Sequence, residues 1–201
     1  MRFHLGSIPD SPDFVPDDSW KQFIEDEKLS IWQWQLKALP LAILNLIIVT
    51  ILWIVFTDFE KFILDITFPL PILKSLFTLM CVLIVHEFLH AICFPEALRS
   101  SQVIIGFWPA QMLVYTKYIG AVKRNRFLIF LSIPFFVISI LPIIFASISK
   151  TTNLWMTYIS ILNAFLASGD VLTIFEIFKL SSGTELRTHG TKLFWREDFK
   201  N

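Results

Sequence analysis

The stretch CVLIVHEFLHAICF, residues 81–94, decides how this chain is read. His86 and His90 stand four positions apart, so on a helix they share one face and both imidazoles can reach one metal ion. Glu87 lies one position round, where it can take a proton from a water activated at that metal. The flanking residues are apolar. Polar side chains inside a membrane segment are costly, so these three read as functional.

Outward from this motif, four apolar runs approach or exceed the roughly 20 residues that cross a bilayer. They are residues 39–56, residues 70–94 with the HEFLH motif, residues 127–148, and residues 154–178 with Asn163 and Asp170. Pro134 and Pro142 predict kinks in the third run. Composition agrees. Hydrophobic residues make up 55% of the 201 residues and charged residues 17%, against roughly a quarter charged in soluble domains. The net charge of zero gives no electrostatic footprint for nucleic acid. The 21 Phe and 7 Trp suit lipid contact and interfacial anchoring. Cys81 and Cys93 fall in one predicted helix, roughly 18 Å apart along its axis, too far to bridge. The fold expected is an all-α integral membrane protein of about four transmembrane helices, with a short membrane-associated β-hairpin-like loop.

Three segments follow. Residues 1–38 form an arm, with residues 19–37 read either as an interfacial helix anchored by Trp20, Trp32 and Trp34 or as a mobile juxtamembrane arm. The arm has no apolar core of a cleavable signal, so the first span is expected to direct insertion. Residues 39–178 form a transmembrane metalloprotease-like domain, and residues 179–201 a short tail. Between the second and third runs, VIIGFWPAQMLVY (residues 103–115) is too short to span as a helix. Its β-branched and aromatic residues around Gly106 and Pro109 predict a hairpin of two short strands, with an interfacial loop as the alternative. With four spans, both termini and the loop 95–126 share a side. Of the 17 Lys and Arg, only Lys61, Lys74 and Lys150 fall opposite, which predicts a multi-pass cell-membrane protein with cytoplasmic termini.

This topology brings a distal residue level with the motif. His90 lies about one turn and His86 about two turns from the cytoplasmic end of the second run, and Asp170 about two turns from the same-side end of the fourth. Zn²⁺ catalytic sites use three protein ligands, which His86, His90 and Asp170 can supply, with Glu87 as the general base. Asn163 lies seven residues before Asp170 on the same helix face. It is a candidate for orienting substrate or an oxyanion, with an interhelical hydrogen bond as the simpler reading. Cys93 follows His90 by three positions; as a fourth ligand it would mark a structural metal, and as a buried small hydrophobe it would not touch the ion.

His86-Glu87-Phe88-Leu89-His90-Ala91 on one span, with Asn163 and Ser168-Gly169-Asp170 on a later one, resembles the bacterial zincin-type membrane peptidases, small relatives of the site-2 proteases. The resemblance implies cleavage of transmembrane helices within the bilayer, zinc held by His86, His90 and Asp170, and Glu87 as base. Here Gly169 precedes Asp170, whereas site-2 proteases commonly place Gly after the Asp. The function expected is zinc-dependent intramembrane hydrolysis of membrane protein or peptide substrates, in contact with lipid and not with nucleic acid. The alternatives are a non-proteolytic membrane interaction protein with a structural or vestigial metal, and an ion transporter. The latter is disfavoured because the ligands lie near one side and no internal repeat is visible.

Overall fold

The computed structural model describes residues 1–23, 31–57, 72–95 and 99–197. It corrects the all-α expectation. The described residues include two β-sheets, one of three strands and one of four, besides the long helices. The chain divides into two compact units, each drawn from separate parts of the sequence.

One unit comprises residues 31–86 and 132–172. Helix α1 (Ile31–Phe56) runs through it, as does most of α2 (Ile72–Cys93). Helix α3 (Arg124–Pro134) continues through a wider helical turn at Phe135–Ile140 into α4 (Leu141–Ser149). In that turn the Leu141 N–H donates to the Phe136 carbonyl, five residues back. Such turns are frequent at functional sites. Pro134 immediately precedes it and Pro142 follows it. Lys150 ends α4 in a left-handed conformation (φ 56°). Asn153 then caps α5 (Leu154–Leu166), its side chain accepting from the Met156 N–H at 2.9 Å. Val49, Trp53, Ile143, Ala146 and Ala164 make the apolar core. Polar contacts run through it: Asn45 Nδ2 donates to the Ala164 carbonyl at 3.2 Å, and Trp53 Nε1 to Ser160 Oγ at 2.9 Å.

Three helical segments, Trp32–Phe56, Ile72–Cys93 and Arg124–Ser149, are long and apolar enough to cross a membrane. The fourth expected span is broken: α5 and α6 (Ser168–Phe178) meet at a 47° bend. The small residues Ala167, Ser168 and Gly169 mark the break. Along α1, Ile43, Leu44, Ile47, Ile48, Ile51 and Val55 are exposed. So much contiguous apolar surface suits contact with lipid. The interfacial helix expected at residues 19–37 lies partly outside the described residues. Within them, Lys21–Gln22 is strand β2 and residues 31–37 are the opening turns of α1.

The other unit comprises residues 1–30, 87–131 and 173–201. Residues 103–115 lie within a hairpin, β3 (Val103–Trp108) and β4 (Leu113–Tyr118), whose turn carries Met112 at φ 48°. It is not a lone hairpin, because β1 (Arg2–Leu5) pairs in parallel with β3. Gly106 stands opposite Tyr115, and a Cβ at Gly106 would come within 2.3 Å of the Tyr115 ring. The glycine is therefore what lets that ring lie across the sheet, over Ile104 and Ile119. The residues expected to form a tail instead build the second sheet. There β6 (Glu185–His189) and β7 (Lys192–Arg196) form a hairpin around Gly190 (φ 55°), flanked by β2 on β7 and by β5 (Val122–Lys123) on β6. Arg124 then ties this sheet to a helix end, donating to the last carbonyls of α6 at Ile177 (3.1 Å) and Phe178 (2.9 Å). Phe94, Val103, Tyr118, Phe127, Phe130 and Leu186 pack in the core.

Candidate metal centre

Helix α2 fixes the first part of the site. It is continuous from Ile72 to Cys93, so His86 and His90 stand one turn apart on one face. Both are buried, 5% and 4% exposed, in a helix otherwise almost wholly apolar. Neutral imidazole has one N–H and one lone-pair nitrogen, and the hydrogen bonds decide which is which. His90 Nδ1 lies 2.9 Å from the Phe130 backbone carbonyl. A carbonyl only accepts, so Nδ1 carries the hydrogen and Nε2 keeps the lone pair.

The same logic applies to His86. Its Nδ1 lies 2.8 Å from Asn163 Oδ1. The orientation of that amide is settled by its other end: Asn163 Nδ2 donates to the Pro134 carbonyl at 3.1 Å and to Ser139 Oγ at 2.9 Å. Oδ1 is then the acceptor, and His86 Nδ1 the donor. His86 Nε2 faces Asp170 Oδ2 at 2.9 Å, so with Nδ1 already donating to Asn163 this pair is held together by a shared proton or by a metal ion that both ligate. Asp170 sits in the first turn of α6, just beyond the bend, where the helix N-terminus favours a carboxylate. One ligand atom from each of His86, His90 and Asp170 lies within 4.8 Å of the others, and the three can hold a metal ion. Two imidazole nitrogens and a carboxylate oxygen are a donor set that suits zinc.

The remaining sequence candidates fall as follows. Glu87 is half-buried and follows His86 on α2; its backbone carbonyl accepts from Thr116 Oγ1 of β4 at 2.8 Å. Both hydrogens of the Asn163 amide point at acceptors within the fold, and the residue is fully buried (0% exposed). Its visible role is to orient His86. The Cys93 thiol donates to the Leu89 carbonyl of its own helix at 3.1 Å, and the metal-capable group among the described residues does not include it. Three participants were not legible as such: the Phe130 carbonyl, Pro134 and Ser139. The only signal in the sequence was proline itself, read there as a kink.

Comparison with known proteins agrees with this geometry. No curated protein and no solved structure shows a significant match. A family model described as "Putative zincin peptidase" matches residues 79–184, just over half of the chain, a stretch that contains the HEFLH motif, Asn163 and Asp170. On that match the chain belongs to this zincin peptidase family.

Proposed function

We propose that this protein is a zinc-dependent intramembrane protease that cleaves peptide bonds of membrane protein or peptide substrates. The observation that carries the reading is the arrangement around α2. Two buried histidines with their Nδ1 atoms committed to oxygen acceptors, and a carboxylate beside them, sit on helices apolar enough to cross a membrane. His86, His90 and Asp170 would hold the ion. Bound zinc supplies a Lewis acid that polarises a carbonyl and lowers the pKa of water toward neutrality.

The chain's own residues do the rest. Glu87 takes the proton of the attacking water and passes it to the leaving amine, a role worth about 10²–10⁴-fold in rate. Phe130 and Asn163 keep both imidazoles in the ligating tautomer. The substrate enters as an extended segment, because a helix shields its own peptide bonds. The β3–β4 hairpin is a candidate to receive it by strand addition. The lysine and arginine asymmetry supports a cytoplasmic location for both termini. A structural metal is disfavoured, since Cys93 is engaged within its own helix.

The test pairs metal content with cleavage. Purified protein should hold about one zinc per chain, and Glu87→Gln should keep that zinc while the membrane proteome of the variant strain accumulates uncut substrate. Absence of zinc under non-chelating conditions, or identical proteomes with and without Glu87, would overturn the reading.

A further inference from the structure

Pro134 is fully buried within the third apolar helix, and its chemistry reaches both histidines. In an α-helix the Phe130 carbonyl accepts from the N–H four residues on. That residue is Pro134, which has no N–H. The carbonyl thus has no donor four residues on, and it is the group that accepts the His90 Nδ1–H at 2.9 Å. On its other side, the carbonyl of Pro134 itself accepts from Asn163 Nδ2 at 3.1 Å, which turns Asn163 Oδ1 toward His86 Nδ1 at 2.8 Å. We infer that Pro134 is a positioning residue for metal binding: its missing N–H sets the tautomer of His90, and its carbonyl sets that of His86. The inference rests on the zinc-binding part of the function proposed above, and not on proteolysis.

A merely structural proline predicts the opposite of a positioning one. Alanine favours a helix interior by about 3 kcal/mol over proline, so Pro134→Ala should make the helix more regular. It also restores an N–H that competes with His90 for the Phe130 carbonyl. The expected result is zinc affinity weakened roughly 10- to 100-fold, the range for loss of a group that orients a metal-ligating histidine. Pro134→Gly restores the same N–H and should weaken affinity likewise. Pro142→Ala, a like change further along the same run, should leave affinity as it was. The measurement is competition against a chromogenic chelator in detergent micelles.

A second readout is a two-bond ¹H–¹⁵N correlation on zinc-loaded protein labelled at its four histidines. His86 and His90 should bind zinc through Nε2, with hydrogen-bonded Nδ1–H protons. At saturating zinc, Pro134→Ala should shift the His90 Nδ1–H upfield. Unchanged affinity and spectrum in Pro134→Ala, or equal weakening in Pro142→Ala, would overturn the inference while leaving a zinc enzyme intact. If neither Pro134 variant folds, the wild-type spectrum decides, because zinc on Nδ1 of His90 would overturn it. Wild-type protein that binds zinc as described yet cleaves nothing would remove the proteolytic reading and leave this one standing.

Discussion

Replacing Asn163 separates the orientation of a ligand from the stability of the fold. Asn163→Leu keeps the volume and removes the bonds to His86, the Pro134 carbonyl and Ser139. Interhelical hydrogen bonds in membrane proteins average about 0.6 kcal/mol, so the three together contribute about 2 kcal/mol. The His86 N–H is then buried without its acceptor, which adds about 1–3 kcal/mol. Unfolding by SDS, followed through tryptophan fluorescence, should register a loss of about 3–5 kcal/mol, and zinc affinity should fall roughly 10- to 100-fold. Asn163→Asp divides these effects. A carboxylate oxygen still accepts from His86, so zinc affinity should stay within a few-fold of wild type. The second oxygen faces the Pro134 carbonyl, which cannot donate, so stability should fall by about 1–3 kcal/mol. Folded Asn163→Leu protein that binds zinc as tightly as wild type would refute the argument that this amide holds His86.

Two further changes probe other parts of the molecule. Asp170→Asn removes the charge while keeping the shape, and zinc affinity should fall by more than the roughly 100-fold upper range for an orienting residue, measured by the same competition. Gly106→Ala places a Cβ 2.3 Å from the Tyr115 ring, so stability should drop by about 1–3 kcal/mol with zinc content unchanged; an unaltered melting profile would show that the ring yields freely.

The helical face of HEFLH was legible because a four-residue spacing needs only local geometry. Asp170 was legible because a four-span reading of the hydropathy pattern sets it level with the two histidines. The contacts that orient those ligands were not. Phe130 acts through a backbone carbonyl, which leaves no mark in the sequence, and Ser139 acts through a pairing known only once helices pack. The strands outside the hairpin failed for a related reason. β1 pairs with β3 about a hundred positions away, and β2 and β5 are two residues long, so neither length nor local pattern announces them. β6 and β7 do carry a local signal, Gly190 between two runs in which Leu186, Thr188 and Phe194 turn inward. A polar tail concealed it.

Carrying a histidine in an apolar helix bundle raises a physical problem that the unit containing His86 solves by continuity. Every polar group there needs a partner, since hydrocarbon offers none. His86 Nδ1 donates to Asn163 Oδ1, Asn163 Nδ2 donates to Ser139 Oγ and to the Pro134 carbonyl, Ser160 Oγ donates to the Ser139 carbonyl at 2.6 Å, and Trp53 Nε1 donates to Ser160 Oγ. Among the described residues, the buried side-chain atom left without a hydrogen-bond partner is Gln111 Oε1, in the β3–β4 turn and not in a helix. A satisfied chain has one low-energy arrangement, because rotating any member orphans its neighbours. The orientation of the imidazole is therefore inherited from a tryptophan and two serines with no metal-binding chemistry of their own. The wider helical turn at Phe135–Ile140 matters for the same reason, because it contains Ser139, whose hydroxyl and carbonyl meet separate members of the chain.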